Sequence, residues 1–168
     1  MAYLSKPLRI MKRIVILLLA LIPAMAGAQD LVINDESKTV TWIKIYESDI
    51  TQNDVYGQIL AYGILEDVVT YENMIAGDIP LTRLDYESLG YRRMSIPMYL
   101  SNDDFTARVI LRFKEGRYMA EVVNMTFIGD MGASTLYSFT SSNFKDTPHI
   151  IISFLEKLTT FHKTESEW

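Results

Sequence analysis

Alternating apolar and polar residues run through Phe105–Ile128, and this pattern predicts one long antiparallel β-hairpin. Period-two alternation places one set of side chains on a buried face and the other toward solvent. Glu115-Gly116 supplies a two-residue turn, because glycine accepts the positive φ that such turns need. On the apolar face this turn predicts three cross-strand pairs: Phe113 with Tyr118, Leu111 with Ala120, and Val109 with Val122.

The opposite face of the hairpin carries Arg108, Arg112 and Glu121. One interpretation is an anion-binding patch. The other is a solvated lattice of cross-strand charges, which contributes little to stability. We favour the charge lattice, since Glu121 is expected opposite Ile110 and diagonally between the two arginines.

Two segments show helical spacing of apolar residues. Gln52–Tyr62 predicts an amphipathic helix for which Asp49 or Thr51 can serve as the N-cap. Pro148–Lys163 predicts a long C-terminal helix with Thr147 as its cap and Pro148 at its first position. Its apolar stripe consists of Ile151, Phe154, Leu155, Leu158 and Phe161.

Further β-strands are predicted from β-branched and alternating residues at Thr39–Tyr46, Leu65–Tyr71, Met74–Pro80 and Tyr91–Leu100. Pro97 lacks an amide donor, which favours an edge position or a bulge for the last of these. Leu81–Gly90 and Gly129–Lys145 are predicted as loops.

The resulting order of elements predicts an α+β fold, in which helices pack on one face of a curved antiparallel sheet. Three parts of the chain are expected: a signal peptide over residues 1–28, a polar leader over residues 29–38 and a single α+β domain over residues 39–168. The chain has no cysteine, so its core must form without disulfides, and a domain of that size is large enough to do so.

The N-terminal residues have the pattern of a secretory signal peptide. A basic region containing Lys6, Arg9, Lys12 and Arg13 precedes the apolar run Ile14–Ile22. Ala26-Gly27-Ala28 then predicts cleavage before Gln29. Translation can begin at Met1 or Met11. The apolar run is shorter than the about 20 residues of a transmembrane helix, so we expect an exported protein, periplasmic or secreted, with no transmembrane segment in the mature chain.

Removal of the leader makes the chain strongly acidic. It takes away four of 16 basic residues and none of 21 acidic ones, which leaves 12 against 21 and a net charge of −9. Such a surface repels nucleic acid and anionic membranes. The expected partner is therefore an envelope protein or a small molecule.

Several of these residues resemble a family of secreted bacterial proteins described as a domain of unknown function with a TBP-like fold. The Lys-acidic-Gly-Arg-Tyr turn of that family matches Lys114–Tyr118, and Val55-Tyr56 resembles the start of its first helix. Ile75-Ala76-Gly77 resembles its short glycine-containing strand. The similarity covers Val40–Ile128 and implies a TBP-like or helix-grip-like sheet with helices on one face. It brings no catalytic residues.

No constellation in the sequence predicts a specific chemistry, so no catalytic, cofactor-binding or metal-binding residues are assigned. His149 and His162 are too far apart in sequence to occupy adjacent helical turns as metal ligands. Asp103-Asp104 follows Ser101-Asn102 and is typical of a turn. Asn124-Met125-Thr126 is a formal glycosylation sequon inside a predicted strand.

These observations lead to three hypotheses. The first is a non-enzymatic exported domain that binds a protein partner or small ligand, with the open sheet face as one candidate surface. The second is a carrier of an apolar ligand in a cavity lined by Met94, Met98, Phe154 and Phe161. The third is a hydrolase whose acidic residues meet only in the fold. An apolar pocket larger than about 300 Å³ would favour the carrier.

Overall fold

A computed structural model describes residues 30–92, 96–140 and 147–163. The predicted signal peptide and Met94 therefore lie outside the described residues. The strands are β1 Asp30–Asn34, β2 Thr39–Glu47, β3 Glu66–Tyr71, β4 Met74–Asp78, β5 Thr82–Arg83, β6 Asp104–Lys114, β7 Arg117–Gly129 and β8 Gly132–Thr135. The helices are α1 Gln52–Tyr62, α2 Met98–Asn102, α3 Leu136–Thr140 and α4 Thr147–Thr159. Within these residues no helix combines the length and apolarity needed to cross a bilayer.

The strands form one antiparallel sheet in the order β1-β2-β7-β6-β4-β3. The short strands β5 and β8 pair with the ends of β6 and β7. Helices α1 and α4 cover one face of this sheet, and their buried residues join a single apolar core with the inward residues of β2, β4, β6 and β7. The predicted α+β class is confirmed.

The β6–β7 hairpin at the centre of the sheet has the predicted register. Phe113 pairs with Tyr118, Leu111 with Ala120, and the turn glycine, Gly116, has φ +71°. Beyond Arg108 the register shifts, because β7 contains one extra residue. Asn124 occupies this bulge with φ +56°, a left-handed conformation that asparagine tolerates better than most residues.

The bulge changes which residues of β7 point inward. Before it, Tyr118, Ala120 and Val122 are buried; after it, Met125 and Phe127 are. Phe127 consequently lies on the same face as its partner Phe105, with ring centroids 5.2 Å apart. The far end of the hairpin thus stays part of the core.

Helix α1 has the predicted bounds and a complete capping box. The Thr51 hydroxyl accepts the Asp54 amide at 3.2 Å, and the Asp54 carboxylate accepts the Thr51 amide at 3.1 Å. These hydrogen bonds hold the pKa of Asp54 below its usual value. Gly63 ends the helix in the left-handed conformation. Val55 and Ile59 are the helix residues buried against the sheet.

Helix α4 is fixed to the sheet by polar contacts near its C-terminus. The Tyr118 hydroxyl donates to the Thr159 carbonyl at 2.9 Å and accepts the Phe161 amide at 3.2 Å. The Tyr46 hydroxyl lies 2.7 Å from that of Thr159, and Lys44 forms an ion pair with Glu156. These contacts end the helix at Thr159, before the predicted Lys163, while Phe161 remains in the core.

Three regions differ from the sequence-based expectations. The polar leader contains strand β1, which pairs along β2. The prediction of a strand over Tyr91–Leu100 was wrong: α2 begins directly after Pro97, whose carbonyl accepts the Leu100 amide. The segments predicted as loops contain short regular elements. Strand β5 lies in the charged segment Leu81–Gly90, and β8 and α3 lie in the Gly- and Ser-rich segment Gly129–Lys145; neither composition predicts a strand or a helix.

The second face of the sheet carries apolar side chains that point away from the core. Ile43 and Ile45 on β2, Ile110 on β6, and Met119 and Val123 on β7 are half-buried there. They share this face with the arginines of the predicted charge lattice. The sheet therefore has one face covered by helices and one apolar open face.

Candidate ligand-binding groove

An open groove lies where the C-terminal halves of α1 and α4 meet the segment that follows β4. Its volume is about 460 Å³, within the range of small-molecule sites. The groove is lined by Gln58, Tyr62, Ile64, Thr82, Arg83, Asp85, Ser88, Leu89, Phe154, Lys157, Leu158, Thr160 and Phe161.

The apolar surface of the groove is continuous with the core. Phe154 packs edge-on against the buried Phe105, with ring centroids 5.7 Å apart. Phe161 contacts the ring of Tyr118 at 6.1 Å. Because Phe105 and Tyr118 are fixed within the sheet, these two rings present a rigid surface to the groove.

One wall of the groove is the segment Thr82–Leu89, which local hydrogen bonds shape into a turn. The Asp85 carboxylate accepts the Ser88 amide at 3.1 Å, and the Ser88 hydroxyl donates to the Asp85 carbonyl at 2.9 Å. The buried side chain of Leu84 anchors this segment in the core. Leu89 then extends the apolar lining opposite α4.

A hydrogen bond closes one end of the groove by joining α1 to the residues after α4. The Gln58 side-chain amide donates to the His162 carbonyl at 2.7 Å. Both Gln58 and the neighbouring Phe161 line the groove. Tyr62 stands at the rim and is 77% exposed, so its ring is available to a bound molecule.

Among the described residues that line the groove, the charged ones are Arg83, Asp85 and Lys157, which together carry a charge of +1 on a chain whose net charge is −5. Arg83 is held by the Asn102 carbonyl at 2.9 Å and by Asp104 at 3.6 Å. Lys157 is exposed on the last turn of α4 and forms no ion pair with any described residue. The groove thus combines an apolar interior with a cationic edge.

Two of the four residues predicted to line a cavity lie in this groove, namely Phe154 and Phe161. Met98 is instead 76% exposed and borders a separate hollow of about 430 Å³, together with Asp103, Asp130 and Met131. The other groove residues were missed, because the charged Leu81–Gly90 segment has no periodicity. Its three leucines within a polar loop, of which Leu84 is buried and Leu89 lines the groove, were the available signal.

The predicted charge lattice on the open face is present. Arg112 forms an ion pair with Glu121, and Arg108 pairs with Asp78 at 3.1 Å. Because both guanidinium groups are already paired, these two arginines offer little to a free anion.

The remaining candidate residues are dispersed. His149 lies in the first turn of α4 and His162 beyond its end, and both are exposed. The described residues contain no cluster of three or more potential metal ligands. Asp104 faces Arg83, whereas the Asp103 carboxylate packs against Gly129, so these neighbouring carboxylates diverge.

The architecture defines the class of this domain as α+β with an open antiparallel sheet. No protein-family model and no curated protein sequence matches the chain. Among solved structures, a TBP-like protein from Parabacteroides distasonis is similar, with a TM-score of 0.45 and 13% sequence identity. The match covers 75% of this chain and 91% of that protein.

Proposed function

We propose that this chain is an exported, non-enzymatic domain that binds a small molecule with an apolar portion in the groove between α1 and α4. The observation that carries the proposal is the composition of the groove, in which apolar side chains line the interior and polar ones form the rim. Sites of this kind bind small molecules by burying their apolar surface, while a few polar groups set the orientation.

The rigidity of the groove supports this proposal. Phe154 and Phe161 are held by sheet residues, and the Gln58–His162 hydrogen bond joins two of the walls. A preformed site loses little conformational entropy when it binds its ligand. Export is inferred from the basic region and apolar run before Ala28.

The test is native mass spectrometry of the chain produced with its N-terminal leader. We expect an added mass that disappears on denaturation. Thr160→Trp places a large side chain at the groove and should abolish the added mass. Thr70→Trp makes the same change at an exposed position of β3, outside the groove lining, and should retain it.

Two results would contradict the groove as the binding site. One is an added mass that survives Thr160→Trp. The other is a wild-type protein that stays bare even after incubation with decanol, a simple apolar probe. Thermal unfolding of both tryptophan variants establishes that each is folded, so that loss of binding is not mistaken for loss of structure.

A second candidate function is docking of a protein partner on the open sheet face. The observation that favours it is the row of half-buried Ile43, Ile45, Ile110, Met119 and Val123, since contiguous apolar surface marks interaction sites. Ile45→Lys should abolish cross-linking to such a partner and leave small-molecule binding unchanged. Cross-linking that persists in this variant would show that the partner does not dock on the open sheet face.

A further inference from the structure

We propose that the ligand of the groove is an amphipathic anion, with a carboxylate, phosphate or sulfate head at Lys157 and an apolar tail along α4. This inference rests on the proposed function and specifies the chemical class of the ligand. It follows from the position of Lys157 relative to the apolar side chains of the same helix.

Lys157 is the cation that remains available at the rim. Arg83, the other basic side chain among the described lining residues, is shared between the Asn102 carbonyl and Asp104. Lys157 lines the groove, is exposed, and forms no ion pair within the described part of the chain. An anionic group at this position gains an ionic hydrogen bond without displacing an existing partner.

The helical spacing places apolar groups directly beside that cation. Phe154 lies three residues before Lys157 and Leu158 one residue after it, and Phe161 follows just beyond the end of the helix. All three line the groove, as do Ile64 and Leu89 on the other walls. A tail that begins at Lys157 therefore contacts apolar surface on both sides of the groove.

The same rim is less favourable for a ligand with a cationic head group. Asp85 is its only carboxylate among the described lining residues, and one of its oxygens already accepts the Ser88 amide. A cationic head would also meet the ammonium group of Lys157 and the guanidinium of Arg83. The rim consequently selects for negative charge even though the whole chain is acidic.

The experiment compares three probes with the same tail, decanoate, decanol and decylammonium, by calorimetric titration at neutral pH. Wild type should bind decanoate about tenfold more tightly than decanol, and decylammonium more weakly than either. Lys157→Met should remove the difference between decanoate and decanol. Arg83→Met should reduce it less, because Arg83 already has partners.

The control variant is Lys114→Met, which removes an exposed lysine from the opposite face of the sheet. It should preserve the preference for decanoate. Equal binding of decanoate and decanol by wild type, or a preference that survives Lys157→Met, would overturn the anionic assignment. If Thr160→Trp still abolishes binding in that case, the groove itself stands and only the ligand class fails.

An amphipathic anion can be a free molecule or a membrane lipid, and sedimentation with vesicles distinguishes the two. Co-sedimentation with phosphatidylglycerol vesicles that Lys157→Met abolishes would identify a lipid. Binding of monomeric decanoate without co-sedimentation would identify a free amphiphile. Both results support the anionic assignment, whereas co-sedimentation that is unchanged in Lys157→Met contradicts it.

Discussion

Replacing Tyr118 by phenylalanine tests how the C-terminal helix is held in place. The variant keeps the ring, which stacks on Tyr46 at 4.7 Å, and removes only the hydroxyl. The Thr159 carbonyl and the Phe161 amide then each lose a hydrogen bond in a buried environment. Each buried polar group left without a hydrogen bond lowers the stability by about 1–3 kcal/mol. Part of this loss is offset, because the phenylalanine has no hydroxyl that must be desolvated on folding. We expect a net loss of about 2 kcal/mol.

Chemical denaturation measures this free energy directly, and the corresponding decrease in Tm is about 6 °C. Tyr71→Phe is the matched control, because Tyr71 is 61% exposed and its hydroxyl should contribute little. A loss below about 0.5 kcal/mol in Tyr118→Phe, equal to the control, would refute the role given to this hydroxyl. Because Phe161 lines the groove, ligand affinity should fall in Tyr118→Phe and not in Tyr71→Phe.

The same residue predicts a dependence of stability on alkaline pH. Burial raises the pKa of Tyr118 from 10.0 to about 12. Between these values the unfolded chain has lost the phenolic proton and the folded chain retains it, so folding becomes less favourable as the pH rises. The contribution is at most about 2–3 kcal/mol, present below pH 10 and lost by pH 12. The stability difference between wild type and Tyr118→Phe should therefore shrink over this interval, and a constant difference would contradict the shift.

Substitutions at three further positions test local structure through the free energy of unfolding. Thr51→Ala removes the cap of α1 and should cost about 1 kcal/mol, while Thr51→Ser should be nearly neutral; equal losses in both would argue against the capping box. Gly57→Ala should stabilise α1 by about 0.5–1 kcal/mol, because a methyl group there meets no atom within 4 Å. Gly77→Ala should destabilise by at least about 1 kcal/mol, since its methyl group would lie 3.0 Å from the Glu66 carbonyl oxygen and 3.1 Å from the Leu65 Cβ. A stabilised Gly77→Ala would show that β3 can move away.

The parts of the fold that the sequence predicted have strong local patterns. The hairpin register follows from alternation together with one glycine turn, and α1 and α4 follow from the spacing of their apolar residues, with a capping box at the start of α1. Thr147, predicted as the cap of α4, is instead the first residue of that helix. For each of these elements, local preference and long-range packing favour the same structure.

The errors arose where local pattern and tertiary contacts diverge. Alternation over Tyr91–Leu100 is also compatible with a helical turn, and Pro97 favours the start of such a turn. Strand β1 is short and polar at both ends, so it depends on β2 for its structure. In the groove, Phe154 and Phe161 were predictable from the helical stripe, whereas Gln58 and Leu89 are brought together only by long-range contacts.

The extra residue at Asn124 changes which positions of β7 face the core, so that even-numbered residues are buried before it and odd-numbered residues after it. The apolar positions of β7 are read in one register up to Val122 and in the other from Met125 onward, while β6 keeps a single register throughout. If Asn124 occupied a regular strand position instead of the bulge, Met125 and Phe127 would point outward and Thr126 would face the core. Deleting Asn124 would remove the bulge and restore regular alternation, with Met125 and Phe127 still facing the core. The inward direction of these two side chains is therefore compatible with two arrangements, a bulge at a residue that accepts a left-handed backbone or a regular strand that lacks this residue, and homologous chains should carry asparagine, aspartate or glycine at position 124 or no residue there.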